Sequence, residues 1–174
     1  MAAMSLAGVV LAAGEGRRFG GLKQLADLGG RPLLEHVVAT MSAACDRVVV
    51  VLGARAEEVR RGVRLDGVEV VVCSDWAEGT FASLRCGLAA LGDAPDAVVV
   101  ALGDQPTLTR ARIDAVLADG APLARALDGG APSHPVVIRR GAAVTREALR
   151  AARGPDLGPL EDVDTPESLR GLRA

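Results

Sequence analysis

An α/β fold with a doubly wound, mostly parallel sheet flanked by helices is predicted by three features of this 174-residue sequence. Four short Val-rich runs are apolar without alternation, the pattern of strands buried on both faces. Segments of helical periodicity separate them, which is the βαβ order of a parallel sheet. Hydrophobic residues make up 49% of the chain and aromatics only 2%, so the core is built from Val, Leu and Ala. That composition suits helices on a buried sheet better than an all-β sandwich. The length accommodates one domain with a single core, here residues 1–174.

The first strand is expected at 6–12, "LAGVVLA". Pro32 then suits the first position of a helix in which Leu33, Leu34, Val37, Val38 and Met41 recur at helical spacing. Residues 47–52, "RVVVVL", form the second strand, and 55–62, "RAEEVRRG", a short solvated helix. A third strand at 68–73 leads to a helix over about 80–91, with Phe81, Leu84, Leu88 and Leu91 on one face. The fourth strand, "AVVVAL", occupies 97–102. Four βα units in succession imply right-handed crossovers.

After residue 108 the pattern loosens. A helix at 109–119 with Thr109 as N-cap is followed by weaker strands at 123–127 and 135–139, a helix at 141–152 and a Gly/Pro-rich turn at 153–159. The last helix is well signalled by Thr165 as N-cap, Pro166 at its first position and Glu167 beside its positive end.

A net charge of −2 and a pI near 5.7 exclude any global attraction to nucleic acid or anionic membrane, so a basic site must be local. No apolar run approaches the roughly 18 residues of a membrane span. The opening "MAAMSLAGVV" lacks the basic flank of a signal peptide. Cys45, Cys73 and Cys86 have no metal-like spacing and read as small buried hydrophobes in a reducing compartment. A cytoplasmic protein is expected.

Ligands of such sheets sit at the carboxyl ends of the strands. The segment after the first strand, "LAAGEGRRFGGLKQL", combines Gly14, Gly16, Gly20 and Gly21 with Arg17, Arg18 and Lys23. Its glycine spacing misses the dinucleotide fingerprint by one residue, and no Ser or Thr follows Lys23 as a P-loop requires. What remains is a long loop whose amides, with Arg18 and Lys23, match the charge of a triphosphate. "ALGDQP" ends the fourth strand on Asp104, a carboxylate suited to Mg²⁺ with Pro106 fixing the turn behind it; the competing role is a simple turn cap. "LEDVDTPESL" places Asp162 and Asp164 before the last helix, where acids also serve merely to support the helix.

Together these motifs, with "WAEGTFASLRCGL" and "SHPV", resemble the nucleotidyltransferases that build the dinucleotide form of the molybdenum cofactor, and most nearly the cytidylyltransferase branch. The resemblance runs from residue 9 to residue 169. It implies a Rossmann-like nucleotidyltransferase fold, a nucleotide-binding half over about 1–108 and an acceptor-side half over about 109–174. It also implies a nucleoside triphosphate, CTP or GTP, held by Leu11, Ala12, Ala13, Gly14, Gly16, Arg18, Lys23, Gly79, Ser83 and Asp104. Arg18, Lys23 and Asp104 would be catalytic, Asp104 and Asp164 would hold Mg²⁺, and His134 and Asp162 would line the acceptor side. Asp162 and Asp164 are equally placed by sequence. The acceptor would be molybdenum–molybdopterin or another small phosphorylated molecule, and a molybdoenzyme or its chaperone a further partner. One departure concerns the C-terminal part, where "GPDLGPLE" replaces a longer loop and a strand, so that part is shortened.

The implied chemistry needs no general base, because a phosphate monoester is already ionised at neutral pH. That agrees with a chain holding two histidines and no Ser-His-Asp or Cys-His arrangement. His36 reads as structural; His134 is open between a turn role and the acceptor side. Trp76 either stacks on a ligand or wedges its loop. A different nucleotide–acceptor pair and a non-catalytic nucleotide-binding module are the alternative readings.

Overall fold

A computed structural model describes residues 4–173. Its main sheet has six strands in the order β5-β4-β1-β6-β8-β7. The strands are β1 (Leu6–Ala12), β4 (Arg47–Leu52), β5 (Glu69–Val72), β6 (Ala97–Leu102), β7 (Leu123–Asp128) and β8 (Ala131–Arg139). The two-residue strands β2 (Asp27–Leu28) and β3 (Arg31–Pro32) make a separate small hairpin. β5, β4, β1 and β6 are parallel, while β8 runs antiparallel to β6 and to β7. β1 lies between β4 and β6 and is buried along its whole length, as its unbroken apolar run requires.

Helices cover both faces. α1 (Leu33–Ala44), α2 (Ala56–Gly62) and α4 (Arg110–Ala118) cover one; Val37, Met41, Val59 and Ile113, each fully buried, meet Val10, Val50 and Val99 there. On the other, Leu84 and Leu91 of α3 (Thr80–Leu91) pack on Val9, Val51 and Val100, joined by Leu149 of α5 (Arg146–Ala151). A satellite cluster forms where Leu169 of α6 (Pro166–Arg173) and the fully buried Val163 close on Leu33.

The expected strands and helices are present, with four differences. Pro32 precedes α1 as its cap instead of opening it, because its extended ψ belongs to the β2–β3 hairpin. The helix expected at 141–152 is only α5, since Thr145 caps it late by accepting from the Ala148 amide. The strand read as lost from the C-terminal part survives as an extended piece. Arg153 and Asp156 make parallel bridges to Ala124 and Leu127 of β7, and the Leu157 amide donates to the Leu127 carbonyl at 2.9 Å. The reading of three free thiols is corrected as well. Cys73 and Cys86, 13 residues apart, are joined in a disulfide that ties the end of β5 to α3, and only Cys45 remains a buried thiol, pushed up to about 12 by burial and then by Asp46. Among the described residues no helix is long and apolar enough to cross a membrane.

Candidate active site

The parallel strands deliver their carboxyl ends to one edge of the sheet, and a cleft of about 500 Å³ opens there, beside β1. One side is the loop that follows β1; the others are Trp76, Gly79, Thr80 and Ser83 before and within α3, and Gly103 and Asp104 after β6. Three glycines make room for it. A side chain at Gly53 would stand 2.6 Å from Trp76, and one at Gly103 would stand 2.9 Å from Ala12. Gly16 lies at φ +67, and a Cβ there would fall 2.1 Å from the carbonyl oxygen of Gly21.

Gly16 is the hinge of the β1 loop. Its carbonyl accepts from the amides of Phe19 and Gly20 at 3.0 Å, which folds the second half of the loop back on the first. Among the described residues, the amides of Gly14, Glu15 and Gly16 donate to no protein acceptor. Gln24, almost wholly buried, donates to the carbonyls of Ala12 and Gly14 at 2.9 and 3.0 Å and braces the loop from behind. Gly16→Ala is therefore expected to displace the loop at a stability cost of about 1–3 kcal/mol. Nucleotide affinity should fall at least about tenfold, measured by titration beside a melting curve. A variant with wild-type affinity would dissociate the loop from the binding role.

At the cleft's inner end, Lys23 lies between two carboxylates. Its Nζ is 2.5 Å from Asp104 Oδ2 and 2.9 Å from Asp164 Oδ1. Burial works against the lysine's charge, but the bonds it donates to Asp104 and then to Asp164 outweigh it, so its pKa lies above the ordinary value. The bond from Lys23, with help from the charge of Arg18, holds Asp164 below the usual carboxylate range. Asp104 Oδ1 is buried and has no hydrogen-bond partner among the described residues. Such an orphaned oxygen beside a second carboxylate is the donor chemistry a hard divalent cation takes up.

The "DVD" segment reaches this point through Val163, which is fully buried in the satellite cluster while its amide donates to the Asp104 carbonyl at 2.9 Å. With Val163 pinned inward, its two neighbours diverge. Asp164 turns to Lys23 and Arg18, while Asp162 accepts from the buried Gln105 Nε2 at 2.6 Å. Burial, and then the charges of Asp104 and Asp164, raise the Asp162 pKa. Among the described residues no three His, Cys, Asp or Glu side chains converge into a metal centre.

Of the residues expected to hold the nucleotide, Leu11, Ala12, Ala13, Gly14, Gly16, Lys23, Gly79, Ser83 and Asp104 all line the cleft. Arg18 does not. Its side chain is 77% exposed and pairs with Asp164 at 2.8 Å from the outer side. Arg17 lines the cleft instead, ion-paired with Glu15. Trp76 lines the cleft and also closes against Gly53. His36 bonds the Leu28 carbonyl at 2.9 Å, a structural task. His134 sits across the sheet from the lysine cluster, at the start of β8, which its antiparallel course brings to the edge where β6 ends. Burial, and then Arg125 and Arg112, lower its pKa to about 4, so the ring is neutral at neutral pH.

Known proteins of several activities share this framework. The chain is 38% identical over 138 residues to a nicotine blue oxidoreductase of Paenarthrobacter nicotinovorans, covering 77% of this chain and 67% of that one. It is 36% identical over 166 residues to the bifunctional protein GlmU of Burkholderia mallei, covering 90% of this chain but only 36% of that protein. The crystal structure of Rv0371c from Mycobacterium tuberculosis superposes with a TM-score of 0.78 at 30% identity, over 99% of this chain and 98% of that one. A manganese complex of Rv0371c superposes at 0.75, with 26% identity over 97% of this chain and 98% of that one. The family model of the MobA-like NTP transferase domain matches residues 8–160, a span that opens on β1 and its glycine loop and takes in Lys23 and Asp104. With its nucleotidyltransferase fold and a cleft at the expected strand ends, the chain belongs to that family.

Proposed function

We propose that the chain transfers a nucleoside monophosphate, CMP from CTP as the first choice, to a phosphorylated small molecule, with molybdenum–molybdopterin as the leading acceptor. The observation that carries this reading is Lys23 held between Asp104 and Asp164, with Asp104 Oδ1 buried and unpartnered. Asp104 and Asp164 would hold a divalent cation, Mg²⁺ by preference, which would supply charge neutralisation at the phosphates.

The chain's own groups account for the rest. The unengaged amides of Gly14, Glu15 and Gly16, three residues that line the cleft, would serve as phosphate donors. Lys23 adds a fixed positive charge that survives at any working pH, because its pKa lies above the ordinary lysine value. An oxygen of the acceptor's phosphate forms a bond to the α-phosphorus while the α–β bridging bond breaks, and pyrophosphate leaves with the electron pair. The attacking oxygen is already ionised, so the site has only to align it and offset the developing charge. No histidine lines the cleft among the described residues, in keeping with that economy.

The nicotine blue oxidoreductase likeness favours a second reading, in which the same cleft serves an electron transfer. One assay separates the two. The protein is incubated with each nucleoside triphosphate, Mg²⁺ and a panel of phosphorylated acceptors, and pyrophosphate is followed; a parallel arm follows oxidation of a reduced nicotinamide dinucleotide with a dye acceptor. CTP-selective pyrophosphate release that requires molybdopterin is the expected result. Release with another pair moves the substrates, and turnover in the dinucleotide arm alone overturns the transferase reading. Nucleotide binding without turnover in either arm leaves a binding module.

A further inference from the structure

Beside the nucleotide cleft, and sharing Leu11 and Thr80 with it, lies a second hollow of about 300 Å³ between α3 and α5. Its walls are Phe81, Leu84, Val100, Val136 and Leu149, and among the described residues its polar lining besides Thr80 is His134, Arg146 and Arg150. Arg146 is seated over the Phe81 ring at 4.8 Å. Among the described residues neither Arg146 nor Arg150 has a carboxylate partner, unlike Arg55, which pairs with Glu58, and Arg110, which pairs with Asp114. Behind His134, the half-buried Arg125 donates to the carbonyls of Ser133 and Leu149 and likewise has no counter-ion among the described residues. An apolar pocket with uncompensated guanidinium groups at its mouth is complementary to one kind of molecule.

Resting on the transferase reading above, we propose that this hollow selects the acceptor: a phosphomonoester with a flat ring body, not a sugar phosphate. The ring enters between Phe81, Leu84 and Leu149, and the phosphate is forked by Arg146 and Arg150 toward the side shared with the nucleotide cleft. A sugar phosphate would leave its hydroxyl groups facing Val100 and Val136 with nothing to bond, an unfavourable exchange for water. His134, neutral at the pocket floor, suits a neutral ring.

The test uses 1-naphthyl phosphate as a fluorescent probe, titrated into the full chain saturated with a nucleoside triphosphate so that the nucleotide cleft is filled. Saturable binding is expected that 1-naphthol matches only at least about tenfold more weakly and that glucose 1-phosphate does not displace. Arg146→Ala, at an exposed position, should weaken the probe by about tenfold to a hundredfold while leaving nucleotide affinity unchanged. Leu149→Gln should weaken it by the same order. Displacement by glucose 1-phosphate at comparable concentration, or wild-type probe affinity in Arg146→Ala, would overturn the proposal. The outcome is independent of turnover: probe binding with no pyrophosphate release under any condition would sink the transferase reading and leave the pocket standing.

Discussion

Asp104→Asn is expected to reduce pyrophosphate release by at least about a thousandfold while weakening metal-free nucleotide binding by less than about tenfold. At its end β6 delivers Asp104 to the cleft with one oxygen on Lys23 and the other buried without a partner among the described residues. Asparagine keeps the shape, and its carbonyl oxygen can still accept from Lys23, so the fold loses little. The loss is the negative charge, and with it the ligand a hard cation requires. The proposed nucleotide contacts of the β1 loop should be untouched, because they would come from backbone amides in a cleft shaped by Gly16, Gly53 and Gly103. Titrating nucleotide with and without Mg²⁺ exposes the mechanism. The wild type should bind more tightly when the cation is added, and the variant should show no such gain. A variant that turns over at the wild-type rate would remove Asp104 from the metal site and take the proposed chemistry with it.

The parallel part of the sheet was legible in the sequence, because "LAGVVLA", "RVVVVL" and "AVVVAL" are short, rich in β-branched valine and apolar without alternation, the pattern of strands buried on both faces. The reversal of β8 was not, since direction depends on the length and course of the connection from α4 through β7, not on the residues of "APSHPVVIR". Lys23, Asp104 and Asp164 were legible as residue types at strand and helix ends. That they meet across separations of 81 and 141 residues is a tertiary fact. Asp162 and Asp164 looked alike in sequence; what separates them is Val163, whose complete burial turns one toward Lys23 and the other toward Gln105. Gln24 and Gln105 were missed altogether. A glutamine in a loop carries no signal of burial, and only the carbonyls and carboxylate around these two make their burial tolerable. The Cys73–Cys86 bond was equally hidden, for it depends on the close approach of α3 to the end of β5.

Lys23→Met should change both activity and stability, and the sign of its pH dependence is the informative part. In the wild type the bond from Lys23, aided by Arg18, lowers the Asp164 pKa. A carboxylate with a lowered folded pKa stabilises the fold above its unfolded value of about 4, and that stability is lost as pH falls through the folded value. Methionine fills the lysine's apolar volume but removes the charge. Asp162 and Asp164 would then stand beside Asp104 with only the exposed Arg18 to compensate, and Asp162 is already raised by burial and by those two neighbours. The cluster then favours protons in the folded state, so the linkage reverses: the variant is destabilised at neutral pH and recovers as pH falls toward about 5. The neutral-pH cost is expected at about 2–4 kcal/mol, because the site is only partly buried. Added Mg²⁺ should raise the melting temperature of the variant more than that of the wild type, because the lysine no longer competes for the carboxylates. Pyrophosphate release should fall by about a hundredfold or more, through loss of a fixed charge beside the phosphates. Melting curves at pH 5 and pH 7.5, with and without Mg²⁺, check every part of this. A variant whose stability falls in acid as the wild type's does, and which gains nothing extra from the cation, would show that Lys23 is not what holds these carboxylates together.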